Sequence, residues 1–257
     1  MNNKINIIKE QKIKHLLVDL PIKIYWYQQV GSTNMVAQKL YQQTKLSQSL
    51  LVGSDCQTAG YGKRQRHFIS NTGGVYLSLV THVPQLTSQN QGLLTTGIAW
   101  CLHKTIRQQF GISTDIKWVN DLLLYGRKIA GILTEQVAAQ TVIIGIGCNL
   151  FQPNLEQQLA SSTNLLSSTP TNEQFCHFVA GLIKQIWTFL PNFAQGQFLP
   201  EYQKYLPMLG QQVTVQLGKK VITGTALKLD SQANLILNCN GHALTINSGE
   251  VIKIRSN

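Results

Sequence analysis

The chain has 257 residues, 43% of them hydrophobic and only 13% charged, so it can bury a sizeable core and is not globally disordered. Lys and Arg outnumber Asp and Glu by 22 to 11, and the formal charge of +11 favours anionic partners: nucleotides, acidic proteins, nucleic acid or a membrane surface. Five scattered cysteines, with no CxxC pair and no histidine cluster, argue against a disulfide framework and a zinc site, and most of them are expected to pack as small apolar residues. The first twenty residues are basic and mixed, without the apolar run of a secretory signal. No stretch approaches the roughly 18 apolar residues of a membrane span. The expectation is a soluble, cytoplasmic protein.

In chain order, residues 22–27 (IKIYWY) are β-rich and read as a first strand. Gly31-Ser32-Thr33-Asn34 follows, with Ser32 or Thr33 as the N-cap of a helix whose Met35, Val36, Leu40 and Tyr41 form an apolar stripe. Residues 50–54 read as a second strand, running into QTAGYGKRQR at 57–66. That loop holds Gly60 and Gly62 among Lys63, Arg64 and Arg66. Such a loop can bring backbone N–H groups and cationic heads close to a phosphate. A strand at 74–80 and a helix at 93–110, with cations towards its C-terminus, come next. Residues 116–119, 122–125 and 129–136 read as strands, the last two forming a hairpin across Gly126-Arg127. Another buried strand, VIIGIGCNL at 142–150, carries glycines where a side chain would obstruct a ligand. The Asn/Ser/Thr-rich stretch 152–168 is expected to be a mobile loop. Helices are expected at 173–190 and 198–205. Beyond Pro207, five short strands at 213–217, 223–229, 235–238, 243–246 and 251–254 read as a small all-β barrel. Two domains are therefore expected, an α/β unit at 1–206 and a barrel at 207–257.

Six short strings occur in order: Ser32-Thr33-Asn34, QTAGYGKRQR, Gly74 to Leu79, KWVND from Lys117, GRKIAGILTE from Gly126, and GIGCN from Gly145. With the terminal β-module, this set resembles the biotin protein ligases over nearly the whole chain. The resemblance implies an α/β (α+β) fold: a central mixed sheet with flanking helices, of the class II aminoacyl-tRNA synthetase and biotin ligase type. A C-terminal SH3-like barrel is implied after it. It also implies an ATP-dependent biotin–protein ligase. In that reaction the biotin carboxylate attacks the α-phosphate of ATP, releasing pyrophosphate and forming biotinyl-5′-AMP. A lysine of a biotin carboxyl carrier protein, of the acetyl-CoA carboxylase type, then attacks the acyl carbon and expels AMP. Both steps gather negative charge at one phosphate, which cations and N–H donors stabilise. Mg²⁺ would screen the triphosphate, held by one or two carboxylates and by the phosphates themselves.

Position by position, Ser32, Thr33 and Asn34 match the segment that binds the ureido ring of biotin, and Gln57 lines the same pocket. Gly60, Tyr61, Gly62, Lys63, Arg64 and Arg66 match the loop that closes over biotin and the phosphates. Lys117 matches a phosphate-side lysine and Lys128 one that contacts the biotin carboxyl or acyl phosphate; these two, with Arg64 and Arg66, are the expected catalytic groups. Trp118 and Asn120 fall in the KWVND string beside Lys117, with Trp118 lining the biotin cavity. Gly131 and Ile132 supply backbone contacts and an apolar wall, Asn149 lies where the family holds the nucleotide, and Asp121 is the metal-side carboxylate. An Asx turn is an equally open role for Asp121.

Departures from the pattern bear on function. The usual loop reads GRGRRGR, whereas here Tyr61 and Lys63 replace arginines and Gln65 replaces a glycine. Lysine cannot make the planar bidentate contact of arginine, so activity with looser retention of the adenylate is expected. Val119 stands where proline is usual, and Phe68 where tryptophan is. About twenty residues precede the first strand, so no DNA-binding winged helix, and no repressor role, is expected. Two rival readings remain: a lipoate–protein ligase-like enzyme, and a non-catalytic basic module that binds nucleic acid. Some family members pair by sheet extension, which leaves a homodimer open.

Overall fold

The strands bearing these strings assemble into one sheet. The computed structural model describes residues 4–44 and 48–255. The chain begins with α1 (Ile7–Leu16), which mixed composition had not suggested: it buries Ile13 and is capped by Asn6, whose side chain accepts from the Lys9 N–H at 3.3 Å. Then come β1 (Ile22–Tyr27), α2 (Thr33–Thr44), β2 (Ser49–Ser54), β3 (Val75–His82), α3 (Gln91–Phe110), β4 (Asp115–Lys117), β5 (Asp121–Leu124), β6 (Arg127–Ala138) and β7 (Thr141–Cys148). They form a seven-stranded mixed sheet in the order β1-β2-β3-β7-β6-β5-β4, parallel only between β1 and β2. Central β3 is buried from Val75 to Thr81, which is why it reads as an almost unbroken apolar run rather than an alternating one.

After α4 (Leu155–Gln158), α5 (Asn172–Phe189) packs against α1 and α3. Phe175, Phe178, Val179, Leu182, Ile183 and Ile186 give α5 a buried stripe at helical spacing, and a Thr171–Gln174 capping box starts it. On the opposite side of the sheet, α2 buries Ala37 and packs the half-buried Val36, Leu40 and Tyr41 beside it, while Met35, expected in that stripe, is 58% exposed. The β5–β6 turn falls one residue earlier than expected, at Tyr125-Gly126, where φ is 51° and 74°. Two positive φ values match the twist of a two-residue hairpin.

Segment 152–168 is tied down rather than mobile. The Leu165 and Leu166 N–H groups donate to Asn149 O and Leu150 O at 2.8 Å each, and Ser162 and Thr163 are buried. Its Asn side chains stand in for backbone partners: Asn164 accepts from the Gln152 N–H at 2.8 Å and donates to Gln152 O at 3.0 Å. Composition alone cannot separate this use of Asn from solvation.

Beyond α6 (Leu199–Gln203) lie β8 (Gln212–Leu217), β9 (Lys220–Leu229), β10 (Leu235–Cys239), β11 (His242–Ile246) and β12 (Glu250–Arg255). They make an antiparallel sheet in the order β11-β10-β9-β8-β12. Its buried Val213, Val215, Ala226 and Leu235 belong to the same apolar cluster as Trp118 and Leu122 of the first sheet. The Trp118 indole N–H also donates to Ala233 O at 2.9 Å. All five cysteines are free thiols; burial pushes those of Cys101 and Cys148 up to about 12, consistent with inert packing. Among the described residues no helix is long and apolar enough to cross a membrane.

Candidate active site

A cavity opens where the first turn of α2, the loop after β2, the β4–β5 corner and the middles of β6 and β7 meet. Ser32, Thr33, Asn34, Gln57, Tyr61, Gly62, Lys63, Arg64, Arg66, Lys117, Trp118, Asn120, Asp121, Lys128, Gly131 and Ile132 all line it. Residues separated by a hundred positions in sequence thus share one wall. Gly60 and Asn149 are not among the lining residues.

The floor is a hydrogen-bond network of hydroxyls and carboxamides anchored on one carboxylate, Glu135. Gln57 Oε1 accepts from the Thr33 N–H at 2.8 Å and lies 3.1 Å from Thr33 Oγ1, so a side chain from a distant loop satisfies a donor at the start of α2. Gln57 Nε2 donates to Ser70 Oγ at 2.9 Å. The Ser78 hydroxyl reaches Thr33 Oγ1 at 2.8 Å and Asn34 Oδ1 at 2.5 Å, and Asn34 Nδ2 donates to Glu135 Oε2 at 2.6 Å. Glycines make room for this packing. A Cβ at Gly145 would collide with the Asn34 carboxamide, one at Gly147 would lie 2.6 Å from the Phe68 ring, and one at Gly60 would lie 2.5 Å from Ser70 Oγ. The glycines of β7 therefore clear space for the chain's own side chains, and both also line the cavity.

The lid is a short hairpin closed by Gly62 N–H to Arg66 O at 2.8 Å and Phe68 N–H to Gly60 O at 2.9 Å. Its tip, Arg64 and Gln65, has φ of 61° and 59°, the left-handed region that favours glycine. Arg66 pairs with both oxygens of Glu250 on β12 at 2.6 Å each, which ties the lid to the second sheet. That guanidinium holds the Glu250 carboxyl below the usual carboxylate range. Burial, then the neighbouring Arg64, lowers Lys63 below the ordinary lysine value. Tyr61, half-buried, donates to Glu135 Oε2 at 3.0 Å; burial and that carboxylate push its phenol up to about 12.

On the far wall, Lys128 Nζ lies 2.7 Å from Asp121 Oδ1 and 5.8 Å from the Phe68 ring centroid. A register shift in the β5–β6 pairing, where Leu122 faces Ala130 and Leu123 faces Lys128, makes Ile129 the extra residue of a bulge. Bulges re-aim side chains in this way. Asn120 clamps β6 by donating to Ile132 O at 2.8 Å, and the adjoining Trp118–Val119 peptide is cis. Asn149 is spent elsewhere: it accepts from Gln152 Nε2 at 2.7 Å and fixes the segment behind Lys128.

Five cations, Lys63, Arg64, Arg66, Lys117 and Lys128, face two lining carboxylates, Asp121 and Glu250. The cavity thus joins a hydrogen-bonded floor of hydroxyl and carboxamide groups to a strongly cationic wall and lid, suited to a polar ring at one end and an anion at the other. Among the described residues no group of three or more His, Cys, Asp or Glu could hold a metal ion by itself. Glu250 has both oxygens on Arg66 and Asp121 has Oδ1 on Lys128, so a further cation here would depend on Asp121 and share it with that lysine. That donor set fits a Mg²⁺ carried chiefly by substrate phosphates.

Sequence reasoning missed Ser78, Glu135 and Glu250. Ser78, wholly buried within an apolar strand, carried a usable signal, because a buried hydroxyl must find a partner. Glu250 sits in a different sheet, and nothing local marks it.

Known proteins are similar to this chain in sequence and in fold. The model of the biotin/lipoate A/B protein ligase family matches residues 26–149, and that of the biotin protein ligase C terminal domain matches 208–253. A bifunctional ligase/repressor BirA from Bacillus spizizenii is 30% identical over 225 residues, covering 81% of this chain and 67% of the relative. A biotin–[acetyl-CoA-carboxylase] ligase from Mycobacterium tuberculosis is 27% identical, covering 77% of each chain. The structure of a biotin protein ligase from Aquifex aeolicus, in complex with biotin and ATP, superposes with a TM-score of 0.75 at 23% identity, covering 91% of this chain and 99% of that one. The chain belongs to the biotin/lipoate A/B protein ligase family, and within it to the biotin protein ligases.

Proposed function

We propose that the chain activates biotin as biotinyl-5′-AMP and transfers it to a lysine of an acidic biotin carboxyl carrier domain of the acetyl-CoA carboxylase type, in the cytoplasm. The observation that carries this is the union, in one cavity, of the bonded Thr33–Asn34–Gln57 floor with five cations. The floor offers amide and hydroxyl groups to the ureido ring. In the first step a biotin carboxylate oxygen bonds to the α-phosphorus while the bond to pyrophosphate breaks. Lys128, held by Asp121, and Lys117 would stabilise the charge that grows on that phosphate, with Arg64 and Arg66 supplied by the lid. In the second step a neutral lysine amine of the carrier bonds to the acyl carbon, AMP leaves with the electron pair, and the amine releases its proton. Trp118 and Ile132 provide apolar walls that exclude water from the mixed anhydride. When bound, Mg²⁺ beside Asp121 would neutralise triphosphate charge.

The match to a biotin ligase C-terminal domain over 208–253 favours biotin over lipoate. Cations gathered round a cavity, rather than along a stripe, favour a nucleotide over a nucleic acid. The test is incubation with ATP, Mg²⁺, biotin and a carrier domain, read by intact mass, with pyrophosphate release compared for biotin and lipoate. A carrier that gains no biotin from folded protein overturns the proposal. Lys128→Ala should slow adenylate formation at least about tenfold, roughly 1.4 kcal/mol; unchanged turnover removes Lys128 from the site.

A further inference from the structure

One carboxylate oxygen on β6 serves two parts of the cavity that have different jobs. Glu135 Oε2 accepts from Asn34 Nδ2 at 2.6 Å and from the Tyr61 hydroxyl at 3.0 Å. Asn34 belongs to the floor and is 5% exposed, whereas Tyr61 belongs to the lid. Glu135 itself is fixed by the sheet, opposite Ile143 on β7.

The two donors have different consequences. A carboxamide can sit in either of two orientations related by a flip. In one, Asn34 turns Oδ1 to the Ser78 hydroxyl, 2.5 Å away, and Nδ2 to Glu135. In the other, Oδ1 would face an anionic oxygen. A charged acceptor therefore selects the first orientation strongly, and its bonds are about twice as strong as neutral ones. The floor presents a donor and an acceptor in a set order because Glu135 is there. Tyr61 reaches the same oxygen only when the lid lies against the sheet. Opening the lid removes that bond and leaves Asn34 as the partner of Oε2.

We propose that Glu135 is a positioning residue that couples closure of the Tyr61–Arg66 lid to the orientation of the Asn34 carboxamide in the floor. In this chain Tyr61 stands where arginine is usual, so the coupling runs through a neutral hydroxyl donor. Glu135 touches no reacting atom. It acts through Asn34 on the ring-binding end and through Tyr61 on the lid. The identity of the bound ring rests on the function proposed above; the lid coupling does not.

The lid half is tested on the full-length protein by limited trypsin digestion, because Lys63, Arg64 and Arg66 are cleavage sites within it. When reclosing outpaces cleavage, the rate follows the population of the open lid. Tyr61→Phe should raise cleavage in the lid about tenfold with no change in Tm. Glu135→Ala should raise it as much, with a lower Tm because Asn34 Nδ2 also loses its acceptor, and the double variant should be cleaved in the lid no faster than either single one, since all three delete the same lid bond. Rates in the double variant equal to the product of the single effects would overturn the coupling, as would a wild-type rate for Tyr61→Phe. Should Glu135→Ala not fold, Glu135→Gln carries the test: a neutral acceptor should raise cleavage about threefold, and a wild-type rate there overturns the proposal. The floor half is read by biotin titration in the absence of ATP. Glu135→Ala or Glu135→Gln should weaken binding several-fold, because both release the Asn34 carboxamide, and Tyr61→Phe, which loses only the lid contact, should weaken it by a smaller but measurable factor. Wild-type binding in Tyr61→Phe would show that lid and floor are not coupled, and wild-type binding in the Glu135 variants would remove Glu135 from the floor. Wild-type protein that does not bind biotin would instead overturn the functional reading, leaving the digestion result to stand.

Discussion

In the floor, Ser32, Thr33 and Asn34 are 3–5% exposed and their neighbours are held through short bonds to Gln57, Ser78 and Glu135. Across the cavity, the Arg66 side chain is 55% exposed and its partner, Glu250, comes from another sheet. The floor is preorganised by burial: each polar group that moved would leave another unpaired, at a cost of about 1–3 kcal/mol. The lid is organised by charge and by two left-handed backbone positions, both easily reversed. A site built this way can keep its specificity fixed while its cover moves, as a two-step reaction with a reactive intermediate requires.

The largest effect is expected in the floor. Gly145→Ala places a Cβ 2.9 Å from Asn34 Nδ2 and 3.0 Å from its Cγ, so the carboxamide must leave Ser78 or Glu135. A loss of about 2 kcal/mol in urea unfolding should result, with at least about a tenfold rise in the KM for biotin. A variant with wild-type KM would show that the floor tolerates rearrangement, and the contrast with the lid would collapse.

A smaller effect, of opposite sign, is expected in the lid. Gln65 occupies φ 59°, a conformation costing a non-glycine residue roughly 1–2 kcal/mol, at a position where the family pattern has glycine. Gln65→Gly should remove that cost at the expense of some unfolded-state entropy, leaving a net gain below about 1 kcal/mol. Pre-formed adenylate should then dissociate about two- to fivefold more slowly in a chase experiment. Faster release would mean that the left-handed tip is not what limits closure.

The same division explains what the sequence made legible. Elements such as α5 and β10 were readable because burial imposes period 3.6 or 2 directly on residue choice, and β3 because burial on both faces leaves a short apolar run. Sixteen of the proposed site positions, from Ser32 to Ile132, line one cavity because they sit in contiguous strings whose local conformation places them together. Helix α1 was not legible, since only Ile13 is buried along it and the rest of its stabilisation is polar: Glu10 accepts from the Trp26 N–H at 3.1 Å and Lys9 pairs with Asp55 at 2.7 Å. Glu250 was illegible for a related reason. Its partner, Arg66, lies 184 residues away, and a surface-type ion pair leaves no periodic trace.

The Arg66–Glu250 pair is where the comparison should yield its smallest and most condition-dependent signal. With Arg66 55% and Glu250 29% exposed, solvent screening limits the pair to about 0–1 kcal/mol, despite its bidentate geometry. The sign follows from Glu250, whose folded carboxyl lies below its ordinary value of 4.5 because Arg66 donates to it. Stability from such a group is present above the unfolded value and is lost as pH falls through the folded one. Arg66, raised by the same contact, stays charged throughout and sets no window of its own. A double-mutant cycle with Arg66→Met and Glu250→Gln should therefore give a coupling of about 0.5 kcal/mol at pH 7 and low salt. That coupling should shrink in 1 M NaCl and decline as the pH is taken below 4.5. The Tyr61–Glu135 contact, by contrast, joins a carboxylate to a neutral hydroxyl, so its cycle should respond less to the same salt. Equal salt sensitivity in the two cycles would place lid and floor under one kind of control, against the division drawn here.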